Sequence, residues 1–103
     1  MNGYNKTNLK TFRTWLTANQ SNRKLAVMGT FKGSKLHALT VGLLQLTTNY
    51  FYVNVAYAYS LNLWYNKVKS IECRLVSDNE IIYVLAMTHD RKIYLSNNVY
   101  NLY

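Results

Sequence analysis

Proline is absent from this chain of 103 residues, cysteine occurs once, glycine four times, and only four residues are acidic. Each shortage excludes something. Without proline there is no stiff polyproline linker, and turns fall to glycine, asparagine, aspartate and serine. A single cysteine, Cys73, cannot close an internal disulfide, which agrees with a reducing compartment. Four scattered acids and two distant histidines, His37 and His89, supply neither a metal-ligand cluster nor a carboxylate pair for acid–base work. No glycine-rich phosphate loop occurs. A membrane-spanning helix needs about 20 mostly apolar residues, and Gln45, Thr47, Thr48, Asn49 and Asn54 interrupt the most apolar stretch, residues 36–66. The polar opening from Met1 to Asn8 leads into no apolar segment, so it does not read as a signal peptide. The expected location is the cytoplasm, with no cofactor and no metal. Abundant asparagine, tyrosine and lysine suit a low-GC coding sequence, as in a bacterium or its phage.

What is present is positive charge, unevenly placed. The net charge is +8. Lys6, Lys10, Arg13, Arg23, Lys24, Lys32 and Lys35 occupy residues 1–66 with no acid among them. Glu72, Asp78, Glu80 and Asp90 all follow, set against Lys67, Lys69, Arg74, Arg91 and Lys92. A one-sided positive field favours anionic partners: nucleic acid, an acidic protein surface or an anionic bilayer. An apolar share of 50% excludes disorder, whose signature is low hydrophobicity.

Periodicity then gives an architecture. Residues 36–66 carry no Lys, Arg, Asp or Glu, and beyond Tyr50 they alternate. Phe51, Val53, Val55, Tyr57 and Tyr59 share one parity, the pattern of a strand with one face in a core. Ahead of this spine, Leu9, Phe12 and Leu16, with Trp15 beside them, form an apolar stripe on a helix over residues 8–19 capped by Thr7. From Arg23 the period is two: Leu25, Val27, Gly29 and Phe31 alternate up to a turn at Lys32-Gly-Ser-Lys35, and a second strand runs from Leu36 to Thr48. The chain bends again at Asn62 or Asn66. Val68, Ile71, Cys73 and Leu75 form the next strand, then Ile81–Thr88 and Ile93–Ser96, with turns at Ser77–Glu80 and His89–Lys92. Residues 97–103 fit either strand or helix. The expectation is one α+β domain over 1–103: one N-terminal helix, then an antiparallel sheet of six to seven strands over 23–96, strongly bent or closed into a small barrel. Cys73 shares parity with Ile71 and Leu75 and reads as a buried inert thiol.

Residues 43–72, with Leu46-Thr47, Tyr50 to Val53 and Tyr65-Asn-Lys-Val68-Lys-Ser-Ile71-Glu72, resemble the bacterial pleckstrin-homology-like (PH-like) domains. Residues 81–97 fit that family's final strand pair. The resemblance implies a binding scaffold without catalytic activity. The family ends in a helix that plugs the barrel; Asn98 to Tyr103 is too short for one, so the N-terminal helix takes that place. A second resemblance joins Cys73 to Leu95 to the closing hairpin of the RelE/ParE toxins, whose ribonuclease members place cations and a tyrosine on RNA. It implies metal-free RNA cleavage by His89, Arg91, Lys92 and Tyr94, supported by Arg74.

The sequence thus points first to a non-enzymatic basic binding module with a Tyr-rich surface, acting on a protein partner or a second copy of itself. Its binding residues are expected among Arg23, Lys24, Lys32, Lys35, Tyr50, Tyr52 and Trp64. Tyrosine and arginine are enriched at protein interfaces, whereas rings beside a basic groove also suit single-stranded nucleic acid. Nucleic acid is the alternative partner, and the ribonuclease toxin the alternative activity.

Overall fold

A computed structural model describes the backbone of residues 3–19, 25–40, 43–56 and 59–102, and the side chains of these except 35–40, 43–45, 53–56, 59–61 and 99. The expected α+β class is what it shows: one α-helix and two antiparallel sheets. The larger sheet has six strands, β1 (Asn5–Thr7), β7 (Ser70–Ser77), β8 (Glu80–Thr88), β9 (Arg91–Ser96), β2 (Ala26–Phe31) and β3 (Ser34–Thr40), in that spatial order. The smaller consists of β4 (Leu43–Leu46), β5 (Tyr50–Ala56) and β6 (Tyr59–Trp64).

Helix α1 (Leu9–Ala18) explains why the strands do not close into a barrel. Its stripe is buried as expected, with Phe12 and Leu16 fully inaccessible. Phe12 faces both sheets at once: its ring centroid is 5.8 Å from Phe51 of β5 and 5.1 Å from Tyr83 of β8. The core around it takes Leu63 and Tyr65 from the small-sheet side and Val27, Ile71, Leu85 and Leu95 from the large sheet. A helix filling that space keeps the two sheets apart.

The helix starts one residue later than the sequence suggests. Thr7 belongs to β1, a short strand paired with β7, and Asn8 is the cap, its side chain accepting from the Thr11 N–H at 2.8 Å. Such a cap contributes about 1 kcal/mol. At the other end the Asn19 amide donates to the Trp15 carbonyl.

Two further differences have clear causes. The single strand expected over residues 36–48 is two strands, β3 and β4, one in each sheet, and this passage carries the chain between them. The spine is a hairpin: β5 reverses before Tyr59, and β6 returns along it with Phe51 opposite Leu63. A register shift between Asn54 and Ala56 breaks the alternation that sequence parity carries through to Tyr59. Phe51 is fully buried, as its parity predicts; residue 57 and the side chains of Val53, Val55 and Tyr59 lie outside the described residues.

The large sheet is covered on both faces. β8 buries Ile82, Tyr83, Val84 and Leu85 in succession, the continuous apolar run of a strand with two packed sides. Its second face carries Ala26, Ile82, Val84 and Leu102, with Met28, Val76 and Tyr94 around them. Leu102 comes from a C-terminal 3₁₀ helix, Val99–Leu102, which settles the open question about the tail. Glu80 anchors that segment, accepting from Asn98 at 2.7 Å and Asn101 at 3.4 Å, and the buried Ser96 hydroxyl accepts from Asn101 at 3.0 Å. Leu75 departs from its parity and is 61% exposed, next to a register shift between Leu75 and Ser77.

Candidate anion-binding end of the sheet

Antiparallel pairing places turns next to one another that are far apart in sequence. β2 lies beside β9 with Phe31 opposite Arg91 and Thr30 opposite Lys92. The β2–β3 turn therefore abuts the β8–β9 turn, and the Lys32 N–H donates to the Asp90 carbonyl at 2.7 Å. Lys32 and Gly33 both have positive φ, 53° and 82°, the backbone of a two-residue hairpin turn that asparagine and glycine fill most easily. Lysine in that position is strained by about 1 kcal/mol.

The Phe31 ring is shared by two cations. The Lys32 ammonium stands 5.5 Å from its centroid and the Arg91 guanidinium 5.0 Å. Each contact is worth about 0.5–1 kcal/mol at an exposed site, and together they tie two positive charges to one ring. In the β8–β9 turn the Asp90 carboxylate accepts from the Thr88 hydroxyl at 2.8 Å. His89 is 94% exposed, 4.0 Å from Asp90.

A third segment joins from below. After β6 the chain makes a 3₁₀ turn, Tyr65–Lys67, and enters β7, with the Lys69 N–H donating to the Ala86 carbonyl at 2.8 Å. That bond sets Lys67 and Lys69 beside the end of β8. An open cleft results, lined by Asn66, Lys67, Val68, Lys69, Met87, Thr88 and Arg91. A second groove, which shares Val68 and Lys69, continues past Tyr65 to Thr7 and Asn8 at the start of α1. Arg13 of α1 lies over the Tyr65 ring at 4.6 Å. Burial pushes the Tyr65 hydroxyl's pKa up, against the opposing pull of Arg13, so the phenol stays neutral beside these cations.

Cations thus gather at this end, where Asp90 is the acid of the two abutting turns, and Glu72 lies on β7 opposite Lys6 and Val84. Asp78 and Glu80 sit at the β7–β8 turn, at the other end of β8. Nine residues of strand place those two turns about 27 Å apart.

The residues proposed from sequence divide among several places. Arg23 and Lys24 lie outside the described residues, as does the side chain of Lys35, whose backbone pairs with Thr30. Lys32 is in the cationic cluster. Tyr50 and Trp64 are cross-strand partners with ring centroids 4.6 Å apart and tilted by 40°. Trp64 is 43% exposed, and Tyr52 is half-buried on the same parity as Tyr50. This ring pair adjoins the 3₁₀ turn bearing Lys67, whereas Lys32 belongs to the other sheet.

The alternative ribonuclease set is spread out. Arg91 shares parity with Ile93 and Leu95 toward the main core, while Lys92 and Tyr94 point to the opposite face. Arg74 shares the face of Tyr94 but pairs with Ile82, four residues along β8 from Ala86, the partner of Lys92. Its guanidinium is 6.0 Å from the Tyr4 ring, and its buried Nε has no hydrogen-bond partner. Cys73 packs half-buried against the core, and burial pushes its thiol pKa up. Among the described residues no three His, Cys, Asp or Glu side chains gather to hold a metal, and no helix is long and apolar enough to cross a membrane.

Sequence reasoning passed over Lys67 and Lys69 as site residues. The available signal was two lysines at i, i+2 just ahead of the strand that begins at Ser70. No family model, curated protein or solved structure matches this chain.

Proposed function

We propose that this protein is a non-enzymatic binding module that takes an anionic partner on the basic end of its larger sheet. The observation that carries this reading is the convergence of Lys67, Lys69 and Arg91 from separate segments around one open cleft, with Lys32 on the Phe31 ring that it shares with Arg91. Lysines placed only for solubility have no reason to converge, since like charges brought together repel. The strained Lys32 adds support: a positive φ held by lysine costs stability that asparagine would restore. In this reading the scaffold is PH-like, its first and last long strands joined by the β2–β9 pairing and α1 standing where the family has its plugging helix. It acts in the cytoplasm.

The test is retention on heparin and binding of inorganic polyphosphate by the full chain and by Lys67→Glu/Lys69→Glu. Wild type should bind with an affinity that falls steeply as salt rises, because each phosphate neutralised releases a counterion. The double variant should lose most of that affinity while keeping the same melting temperature. Salt-insensitive binding, or equal binding by the variant, removes the reading.

A further inference from the structure

We infer that the anionic partner is a single-stranded nucleic acid, its bases stacking on the Tyr50–Trp64 pair and its phosphates following Lys67, Lys69 and Arg91. The inference rests on the anion-binding reading and adds the chemical class of the ligand. Its independent observation is the exposed indole. Trp64, Tyr4, Leu75 and Tyr100 are the large apolar side chains left exposed among the described residues. Of these, Trp64 is the one whose chain runs directly into the cationic cleft, through the 3₁₀ turn that ends at Lys67. Three peptide units separate Trp64 from Lys67, so their Cα atoms lie within about 11 Å of each other. Tyr50 packs beside the indole at 4.6 Å and holds it on the sheet surface while 43% of the residue remains open to solvent. A held, half-open indole three residues along the chain from Lys67 offers a stacking face within reach of a strand whose phosphates lie in the cleft.

Other polyanions fit less well. Bases in a duplex are already stacked, and rings on a sheet surface reach them only when they are unpaired. An anionic bilayer favours protruding apolar side chains at the cationic rim, but the exposed tips of the two turns carry Lys32, Gly33, Ser34 and His89. Lys67, Lys69 and Arg91 line a concave surface, which suits a chain of phosphates better than a plane of headgroups. An acidic protein segment would satisfy the cations and leave the indole without a purpose.

The experiment uses the full chain carrying Trp15→Phe, which leaves Trp64 as the one indole. Probes are a dT 12-mer, a U 12-mer, polyphosphate of similar length, polyglutamate and vesicles of phosphatidylserine in phosphatidylcholine. Both oligonucleotides, or one of them, should quench Trp64 fluorescence and bind more tightly than polyphosphate; the stronger arm tells DNA from RNA. With three phosphates neutralised, the logarithm of affinity should fall against log salt with a slope of about −2. In the chain with Trp15 intact, Trp64→Ala should weaken oligonucleotide binding about tenfold or more and leave polyphosphate binding unchanged, while Trp64→Phe keeps part of the oligonucleotide affinity. If polyphosphate binds but oligonucleotides bind no tighter, or if Trp64→Ala loses nothing, the nucleic-acid inference is wrong and the anion-binding reading stands. Preference for vesicles or polyglutamate overturns the inference in the same way. If no polyanion binds, the proposed function itself fails.

Discussion

Replacing Phe12 by alanine should be the most damaging single change in the helix. The ring is fully inaccessible and meets Phe51 of the small sheet, Tyr83 of the large sheet and, at 6.1 Å, Trp15 of its own helix. Truncating a buried phenylalanine costs about 3–5 kcal/mol, made up of lost transfer energy and a cavity the neighbours cannot fill. Relaxation into the cavity is hindered here because its walls belong to two separate sheets, and the edge-on ring pairs add about 0.5–1.5 kcal/mol beyond their area. We therefore expect about 4 kcal/mol, against a total of about 5–15 kcal/mol for a domain of this kind. At about 4–8 °C per kcal/mol the thermal midpoint should fall by about 15–30 °C. Urea titration followed by circular dichroism and by calorimetry would measure it, with Thr17→Ala as control. Thr17 lies on the exposed helix face, where its hydroxyl donates to the Arg13 carbonyl, so that change should stay within about 0.5 kcal/mol. A loss below about 1.5 kcal/mol for Phe12→Ala would mean that α1 does not join the two sheets, and the explanation for the open barrel would go with it.

Two further outcomes follow from backbone strain and from buried acids. Lys32→Asn should raise stability by about 0.5–1 kcal/mol, because asparagine adopts the left-handed turn more readily, and should weaken polyphosphate binding; a variant neither more stable nor weaker in binding removes the trade-off. Burial raises the pKa of Cys73, Tyr65 and Tyr83. Above the unfolded pKa values, about 8.5 for the thiol and about 10 for the phenols, the unfolded chain releases protons that the folded chain retains. Stability should then be unaffected by these groups below about pH 8 and fall as pH rises through their raised folded values, which urea midpoints at pH 7, 9 and 10.5 would show; a midpoint that does not fall refutes it.

How much was legible in the sequence depended on the range of the interaction responsible. The stripe of Leu9, Phe12 and Leu16 and the double-sided run of β8 are local patterns, and both elements appear where periodicity puts them. The cap on Asn8 was missed because Thr7 is an equally good capping residue, and only its pairing with Ile71 claims it for a strand. The split of residues 36–48 into β3 and β4 was hidden because both parities are apolar there, so no face marks where the chain changes sheets. Parity also failed at Leu75, where a register shift near the strand end leaves the side chain outside the core. The candidate site was the least legible part. Lys32, Lys69 and Arg91 are distant in sequence and become neighbours only through the β2–β9 and β7–β8–β9 pairings. By contrast, the Tyr50–Trp64 pair follows from one hairpin, and its two rings were already candidates.

Whether the protein attracts anions by its total charge or by one end of its surface can be decided with a substitution that touches neither the cleft nor the core. Asp78 is exposed in the β7–β8 turn, about 27 Å along β8 from the cationic turns. At physiological ionic strength the Debye length is about 8 Å, so more than three screening lengths separate Asp78 from a phosphate in the cleft. Asp78→Lys makes the chain more positive by two charges, the same size of change that Lys67→Glu makes in the opposite direction. A local site predicts that Asp78→Lys alters polyphosphate affinity less than twofold at 150 mM salt, while Lys67→Glu weakens it about tenfold or more, since an exposed charge acts chiefly within a screening length. Lowering the salt to 10 mM stretches the Debye length to about 30 Å, and Asp78→Lys should then begin to strengthen binding. Comparable effects of opposite sign at 150 mM would show that the cleft has no special part in binding and that the +8 of the whole chain is what the partner senses.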